Sequence, residues 1–161
     1  MTNTNMNDIL KNGYIVRAVS EKDIPGIVRL EEQCFSHPMS EDNAKSFLLG
    51  DNSIAFVCCE TKSPDLICAY CGALCILDEA QVLNVATAPS HRGRGLGRLV
   101  TETLLTAARE KSVISITLEV RESNDIAKSL YKSLGFYEIG RIKKYYTTPT
   151  EDALILKLDL K

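Results

Sequence analysis

Histidine is scarce in this chain. Its 161 residues contain only two, His37 and His91, and both lie far along the chain from the closely spaced Cys68, Cys71 and Cys75. Cysteine nucleophiles are activated by a neighbouring base such as histidine, and zinc sites combine two pairs of cysteine or histidine ligands. We therefore expect no metal site and no cysteine nucleophile. The cysteines, most of which fall in apolar runs, are expected to be reduced and buried.

Long hydrophobic runs are also missing. The longest, Leu66 to Leu77, is about a dozen residues and contains Gly72, whereas a membrane-spanning helix needs roughly 20 apolar residues. Residues 1–12 are polar and lack the positively charged start and apolar core of a secretory signal. The sequence therefore predicts a flexible tail over residues 1–12 and a single cytoplasmic domain over residues 13–161.

Charge of one sign does not dominate the sequence. The formal net charge is −2 and there is no long basic run, which argues against an extended nucleic-acid-binding surface. Hydrophobic residues make up 45% of the chain, enough for one core. We expect a monomer with no direct nucleic-acid or membrane partner.

The hydrophobic periodicity predicts an α/β protein with strands and helices in the order β α α β β β α β α β β. Single helices between strands pack best on both faces of one mixed sheet. The predicted strands are Tyr14 to Val19, Ile54 to Glu60, Leu66 to Leu77, Gln81 to Thr87, Val113 to Val120, Phe136 to Arg141 and Ala153 to Leu160. The predicted helices begin after Asp23 with Pro25 in the first turn, after Ser40, at Leu96, and after Ser123 or Asn124.

A glycine-rich stretch, Arg92 to Arg98, joins the fourth predicted strand to the long helix that begins at Leu96. Alternating glycines allow close backbone approach, and a helix start offers free N–H groups to an anion such as phosphate. A Walker A loop would need Lys followed by Ser or Thr after its last glycine, and the dinucleotide fingerprint needs two residues where only Leu96 is present. The stretch predicts a phosphate-binding loop of another kind, with an ordinary strand-to-helix turn as the alternative.

The stretch Arg92-Gly93-Arg94-Gly95-Leu96-Gly97 resembles the acetyl-CoA pyrophosphate loop of the GCN5-related N-acetyltransferases, the GNAT family. The element order resembles that family as well, over about Tyr14 to Leu160. Further segments resemble the bacterial members that acetylate the N-terminal alanine of a small-subunit ribosomal protein. These are Asp78-Glu79-Ala80, Asn84-Val85-Ala86, Leu118-Glu119-Val120-Arg121, Ser123-Asn124, Leu130-Tyr131 and Leu134-Gly135-Phe136.

The resemblance implies a GNAT fold, with a mixed, mostly antiparallel sheet of about seven strands and helices on both faces. It implies direct acetyl transfer from acetyl-CoA as co-substrate, with Glu119 as general base and Tyr131 as general acid. Asn124 would contact the cofactor arm, and Val85, Ala86 and Thr87 would line that arm through their backbone. The pyrophosphate would be held by Arg92, Gly93, Arg94, Gly95, Leu96, Gly97 and Arg98.

The implied acceptor is the N-terminal peptide of a ribosomal protein. Tyr145 and Tyr146 match an aromatic pair that borders the acceptor groove in the family, whereas Pro38-Met39-Ser40 replaces its usual Pro-Trp-Ser. A flexible thioether thus stands where an aromatic wall is expected. Two alternatives stay open at this point: an acetyltransferase of the same fold that acts on a small amine, and a non-catalytic acetyl-CoA-binding module.

Overall fold

The computed structural model describes residues 8–161, and within this range the chain forms eight strands and four α-helices. The strands are β1 (Ile9–Lys11), β2 (Tyr14–Ala18), β3 (Ser53–Glu60), β4 (Ser63–Ile76), β5 (Glu79–Thr87), β6 (Ser115–Arg121), β7 (Tyr137–Thr147) and β8 (Thr150–Asp159). The helices are α1 (Ile24–Cys34), α2 (Glu41–Leu48), α3 (Leu96–Glu110) and α4 (Asp125–Ser133).

All eight strands belong to one sheet in the order β1-β2-β3-β4-β5-β6-β8-β7. Every neighbouring pair in this part of the chain is antiparallel except β5 and β6, which run parallel. Parallel neighbours need a long crossover, and α3 supplies it. The predicted fold class, a mixed and mostly antiparallel sheet with helices on both faces, is confirmed.

The two faces of the sheet bury two apolar clusters. Helices α1 and α2 cover one face through Ile27 and Leu48, and α3 and α4 cover the other through Val100 and Tyr131. Because side chains alternate along a strand, successive buried residues of β3, such as Val57 and its neighbour Cys58, belong to opposite clusters. No helix within residues 8–161 is both long enough and apolar enough to cross a membrane.

Two segments differ from the predicted boundaries. Ile9–Lys11, within the expected tail, pairs with β2 as a short strand, and the rest of that tail, residues 1–7, lies outside the described range. Strand β7 continues well past Arg141 to Thr147. The Lys143-Lys144 pair interrupts the alternation of apolar and polar residues. A register shift between Ile142 and Tyr146 accommodates this pair, so that the strand continues beyond it.

The helix starts follow the predicted positions, with one difference in chemistry. Ser40 caps α2 by accepting a hydrogen bond from the Asn43 N–H at 3.2 Å. Asp23 occupies the N-cap position of α1, but its carboxylate accepts from the Arg17 guanidinium at 2.7 and 2.8 Å and makes no cap bond. Asp23 therefore occupies the predicted N-cap position but does not cap α1 with its side chain, because Arg17 and the Ser20 N–H donate to the carboxylate instead.

Candidate active site

A groove opens where β5 and β6 separate. The two strands pair only between Glu79–Gln81 and Ser115–Thr117. Beyond these residues lie two cavities of about 420 Å³ and 620 Å³. Both cavities are lined by Cys34, Phe35, Val85, Asn124 and Tyr131. The shared lining makes them two ends of one groove, which we name the strand-gap groove.

The edge of β5 presents backbone groups to this groove. The Ala88 N–H donates to the Cys68 carbonyl of β4 at 2.8 Å. Along an antiparallel strand, the backbone N–H and C=O groups of successive residues point alternately toward the partner strand and away from it. Those of Ala86 therefore point toward β4, and those of Val85 and Thr87 point away from it. The Thr87 carbonyl accordingly accepts from the Arg92 Nε at 3.3 Å. Val85 therefore offers an unpaired N–H on the groove side, whereas the N–H of Ala86 is used within the sheet.

The start of α3 forms the far end of the groove. Gly93 and Gly95 have φ values of 77° and 78°, a left-handed conformation that disfavours side chains. The first intrahelical bond runs from the Leu99 N–H to the Gly95 carbonyl at 3.0 Å, so the N–H groups of residues 96–98 have no partner within the helix. Together with the positive end of the helix dipole, they form an anion site.

The arginines of this loop differ in placement. Arg92 and Arg98 line the larger cavity, as do Gly93, Gly95, Leu96 and Gly97. The Arg94 side chain lies outside it and donates to the Tyr14 hydroxyl at 2.7 Å. Because the two left-handed glycines flank it, Arg94 turns toward β2 rather than toward the groove. Arg94 nevertheless remains part of the loop between Gly93 and Gly95, and its role in holding the pyrophosphate stays a prediction.

Glu119 lies at the other end of the groove, on β6. Its neighbours Leu118 and Val120 are buried, and the alternation leaves Glu119 half-buried in the smaller cavity. A hydrogen bond from the Tyr145 hydroxyl to this carboxylate, together with burial, raises the pKa of Tyr145 to about 12. Glu119 thus has one phenol partner and is otherwise open to the groove.

Arg121 contacts the aromatic pair Tyr145-Tyr146 of β7. Its guanidinium lies 4.2 Å from the ring centre of Tyr146, a cation–π distance, and it donates to the Pro149 carbonyl at 2.9 Å. Tyr146 packs edge-on against Tyr145 at 5.1 Å. As predicted for a groove border, both tyrosines line the smaller cavity.

Tyr131 stands at the junction of the two cavities. Asn124 caps α4 by accepting from the Ala127 N–H at 3.2 Å, and Tyr131 follows seven residues later on the same helix face. The Tyr131 ring packs edge-on against Phe136 at 5.6 Å. Burial raises the pKa of Tyr131 well above its usual value, so the phenol keeps its proton at physiological pH.

Two further residues near the groove, Phe35 and Glu31, were not singled out from the sequence. Phe35, directly after α1, lines both cavities and is the aromatic side chain on this wall, whereas Met39 packs against the cluster under α1. Glu31 is fully buried on the apolar face of α1, in phase with Ile24 and Ile27. A charged residue at an apolar position of a helix face is the signal that could have drawn attention to it.

The cysteines show no metal-binding arrangement in the described part of the chain. No group of three or more Cys, His, Asp or Glu residues there is placed to hold a metal ion. All six cysteines are free, and burial raises the pKa of Cys58 to about 12 and that of Cys59 to about 11. These thiols act as small hydrophobic side chains.

Comparison with known sequences agrees with this geometry. The sequence profile of the Acetyltransferase (GNAT) family matches residues 24–136. The chain is 33% identical over 147 residues to the [ribosomal protein bS18]-alanine N-acetyltransferase of Salmonella typhimurium, covering 90% of this chain and 97% of the relative. A Bacillus subtilis relative provisionally named for the same activity is 35% identical, also over 147 residues, covering 91% of this chain and 96% of the relative.

Solved structures show the same architecture. The ribosomal-protein-S18-alanine N-acetyltransferase of Escherichia coli superposes with a TM-score of 0.84 and 31% identity, over 92% of this chain and 94% of that chain. Nourseothricin acetyltransferase, at 19% identity, superposes with a TM-score of 0.75 over 93% of this chain and all of its own. Because proteins with different acceptors share this fold, the fold alone does not fix the acceptor.

Proposed function

This chain belongs to the GNAT family of acetyltransferases, and from that premise we propose that it acetylates the N-terminal alanine of a small-subunit ribosomal protein. The observation that carries the proposal is the convergence of three groups on the strand-gap groove. They are the free N–H of Val85, the carboxylate of Glu119 and the buried phenol of Tyr131. They supply a hydrogen-bond donor, a base and an acid along one channel.

The groove fits acetyl-CoA in its shape and in its chemistry. The free N–H groups at the start of α3, with Arg92 and Arg98 beside them, suit the pyrophosphate. Val85, Thr87 and the Asn124 side chain suit the amide-containing arm, which can pair with an open strand edge as another strand would. Ala86 lines the same part of the larger cavity.

Each protein group then has one task in the transfer. Acetyl-CoA supplies the acetyl group as a thioester. The Val85 N–H donates to the thioester carbonyl oxygen, whose negative charge grows as the amine nitrogen bonds to the carbonyl carbon. Glu119 accepts the proton that the amine loses, directly or through a water. Tyr131 donates a proton to the sulfur as the carbon–sulfur bond breaks, so that the products are an amide and free coenzyme A.

An α-amine is the acceptor that this single base serves best. The reference pKa of an α-amine is roughly 2.5 units below that of a lysine side chain, so presenting it neutral at pH 7 costs about 3 kcal/mol less. The relatives above 30% identity for which an acceptor is named act on the alanine of ribosomal protein bS18. We assign the same acceptor class to this chain, as a monomer acting in the cytoplasm.

Coenzyme A release with different acceptors tests the proposal. The acceptors are an Ala-starting peptide, the same peptide with a blocked N-terminus, and a panel of a polyamine, an amino sugar and a free amino acid. We expect turnover with the free peptide alone. Turnover on the small amines alone would instead assign the chain to small-molecule acetylation, and acetyl-CoA binding without any turnover would identify a binding module.

The role of Glu119 is tested with a matched pair of variants. We expect Glu119→Gln to lower kcat by about 100-fold or more, since general-base catalysis contributes roughly 10²–10⁴-fold. Glu138→Gln removes an exposed carboxylate from β7 and should leave kcat unchanged. Equal rates for the two variants would remove Glu119 from the reaction.

A further inference from the structure

A buried carboxylate lies next to the segments that line the smaller cavity of the groove. Glu31 has no exposed surface, although it belongs to α1, whose other buried residues are Ile24, Ile27 and Leu30. Burial of a carboxylate is costly unless hydrogen bonds replace its water. An apolar residue would satisfy the packing of α1 equally well, so the polar contacts of Glu31 need their own explanation.

Three donors from three different segments converge on Glu31. The Tyr70 hydroxyl of β4 and the Asn84 Nδ2 of β5 both donate to Oε1, the latter at 2.7 Å. The backbone N–H of Met39 donates to Oε2 at 3.1 Å. Burial, reinforced by the Glu31 charge, raises the pKa of Tyr70 far above its usual value, so its phenol remains a donor.

Two of these donors belong to different segments that border the groove. Met39 lies in the loop between α1 and α2, which begins at the groove-lining Phe35. Ser36 of the same loop reaches across to the β7–β8 turn and donates to the Thr148 carbonyl at 3.0 Å. A carboxylate that fixes Met39 therefore also fixes the loop that closes this side of the groove.

Asn84 belongs to the second segment, β5, and lines the smaller cavity. The ladder between β4 and β5 pairs Gly72 with Asn84 and Ala73 with Val82, which leaves Leu83 as the extra residue of a β-bulge. Asn84 follows the bulge and immediately precedes Val85, whose N–H faces the groove. Because Glu31 only accepts hydrogen bonds, it also fixes the orientation of the Asn84 amide.

We propose that Glu31 is a positioning residue of the acceptor site, which holds the α1–α2 loop and the bulged edge of β5 at a fixed separation. The proposal rests on the acetyl-transfer function proposed above. It predicts that Glu31 governs acceptor binding while acetyl-CoA binding, which depends on the start of α3 and the outer part of β5, is independent of it.

Glu31→Gln tests this role, with Glu32→Gln as the matched control because Glu32 is the exposed neighbour on the same helix. An amide cannot accept on both of its ends, so at least one of the three donors loses its partner. We expect a rise of about 10-fold in the KM of the Ala-starting peptide, the effect of one lost charge-assisted hydrogen bond. The Kd of acetyl-CoA should stay within about twofold, and Glu32→Gln should change neither constant.

Hydrogen exchange gives a second readout that needs no acceptor. In Glu31→Gln the amide oxygen should stay on the side of Tyr70 and Asn84, which both donate to Oε1, so that the amide nitrogen faces the Met39 N–H. We therefore expect the Met39 amide to exchange about 10-fold faster in Glu31→Gln than in Glu32→Gln, because its acceptor is lost. Unchanged exchange at Met39, or parallel losses of peptide and acetyl-CoA binding, would overturn the positioning role. If wild-type protein acetylates no peptide, the proposed function fails and the exchange measurement still decides on Glu31.

Asn84→Ala keeps the proposal testable if Glu31→Gln does not fold, since Asn84 is only half-buried. The variant should raise the peptide KM by a similar factor while leaving acetyl-CoA binding and Met39 exchange unchanged. In the double variant, part of the Glu31→Gln effect should disappear, because the two residues act through one hydrogen bond. An unchanged peptide KM in Asn84→Ala would contradict the proposal.

Discussion

Tyr131 is the residue that we propose as the general acid. Its ring is fixed against Phe136, and burial keeps the phenol protonated. We expect Tyr131→Phe to lower kcat by about 100-fold or more, the contribution typical of a general acid, with little change in the Kd of acetyl-CoA. Tyr137→Phe is the control, since Tyr137 is exposed and bonds Asp159 at 2.7 Å away from the groove. An unchanged kcat in Tyr131→Phe would exclude it as the acid.

Cys34 reports directly on occupation of the groove. It is half-buried, lines both cavities and lies 3.4 Å from the Thr87 carbonyl. Cys75 is half-buried as well, but it lies on β4 away from the groove, and burial raises its pKa. We expect iodoacetamide to modify these two thiols before the four buried ones, and acetyl-CoA to protect Cys34 alone. Peptide mass spectrometry would measure both rates, and equal protection of Cys75 would argue against binding in the strand-gap groove.

The residues of the site differ in how far their sequence reveals them. Glu119, Asn124 and Tyr131 stand in motifs whose family resemblance implies a role. Glu31 stands in no such motif, and its function depends on donors more than thirty residues away at Tyr70 and Asn84. Arg94 belongs to the glycine-rich loop, yet its side chain, flanked by two left-handed glycines, lies outside the larger cavity and donates to Tyr14. The partners of a side chain and the direction in which it points depend on the tertiary structure, so they could not be predicted from the local sequence.

The start of α3 is the element that we propose to bind the cofactor, and two glycines allow a matched test of it. Gly95 and Gly13 have φ values of 78° and 84°, and a Cβ on either would meet no neighbour. Alanine at each position should therefore cost a similar free energy of unfolding, about 1–2 kcal/mol. We expect only Gly95→Ala to weaken acetyl-CoA binding, by about 10-fold, because it alone alters the N–H groups at the helix start.

Calorimetry of acetyl-CoA binding and urea unfolding of both variants would make this comparison. Equal acetyl-CoA affinity in Gly95→Ala and Gly13→Ala would show that the loop conformation does not matter for the cofactor.

The link between β2 and the start of α1 should make stability depend on pH. Burial by itself would raise the pKa of Asp23, but hydrogen bonds from Arg17 and Ser20 outweigh it and lower the pKa. A lowered folded-state pKa stabilises the fold above the unfolded-state pKa of about 3.9, and this contribution is lost as the pH falls below about 4.

Asp23→Asn should therefore lower the free energy of unfolding by about 3 kcal/mol at pH 7, because it leaves the Arg17 charge without its partner. The difference from wild type should shrink toward zero in acid. Urea unfolding at pH 7 and near pH 3 measures this, with the exposed Asp65→Asn as control. A difference that is independent of pH would show that the ion pair is not its source.

The elements themselves were largely predictable because their signals are local. Apolar residues at helical spacing defined α3. Ser40 marked the start of α2, which the structure confirms, and of the two candidates Ser123 and Asn124 the structure shows Asn124 as the cap of α4. The extent of β7 and the existence of β1 were missed, although each strand forms a hairpin with the strand that directly follows it. Asn12-Gly13 is a typical hairpin turn, but the three residues Ile9–Lys11 before it carry too little pattern to be distinguished from a tail.

At the level of the whole molecule, the site exists because one parallel contact interrupts an otherwise antiparallel sheet. The short pairing of β5 and β6 holds the two halves together at one end and leaves the other end open. Residues 79–87 and residues 115–121 thus form opposite walls of one groove. The two strands on either side of the groove could be predicted from their own hydrophobic periodicity. The residue at which their pairing ends cannot be read from a sequence, so the groove itself could be inferred only through the resemblance to the GNAT family.

One measurement tests the central claim most directly. An Ala-starting peptide with an internal lysine would be incubated with the protein and acetyl-CoA, and tandem mass spectrometry would locate the acetyl group. We expect a single acetyl group on the α-amine, formed much more slowly by Tyr131→Phe and by Glu119→Gln. Acetylation of the lysine alone, or transfer only to small amines added to the same mixture, would contradict the account.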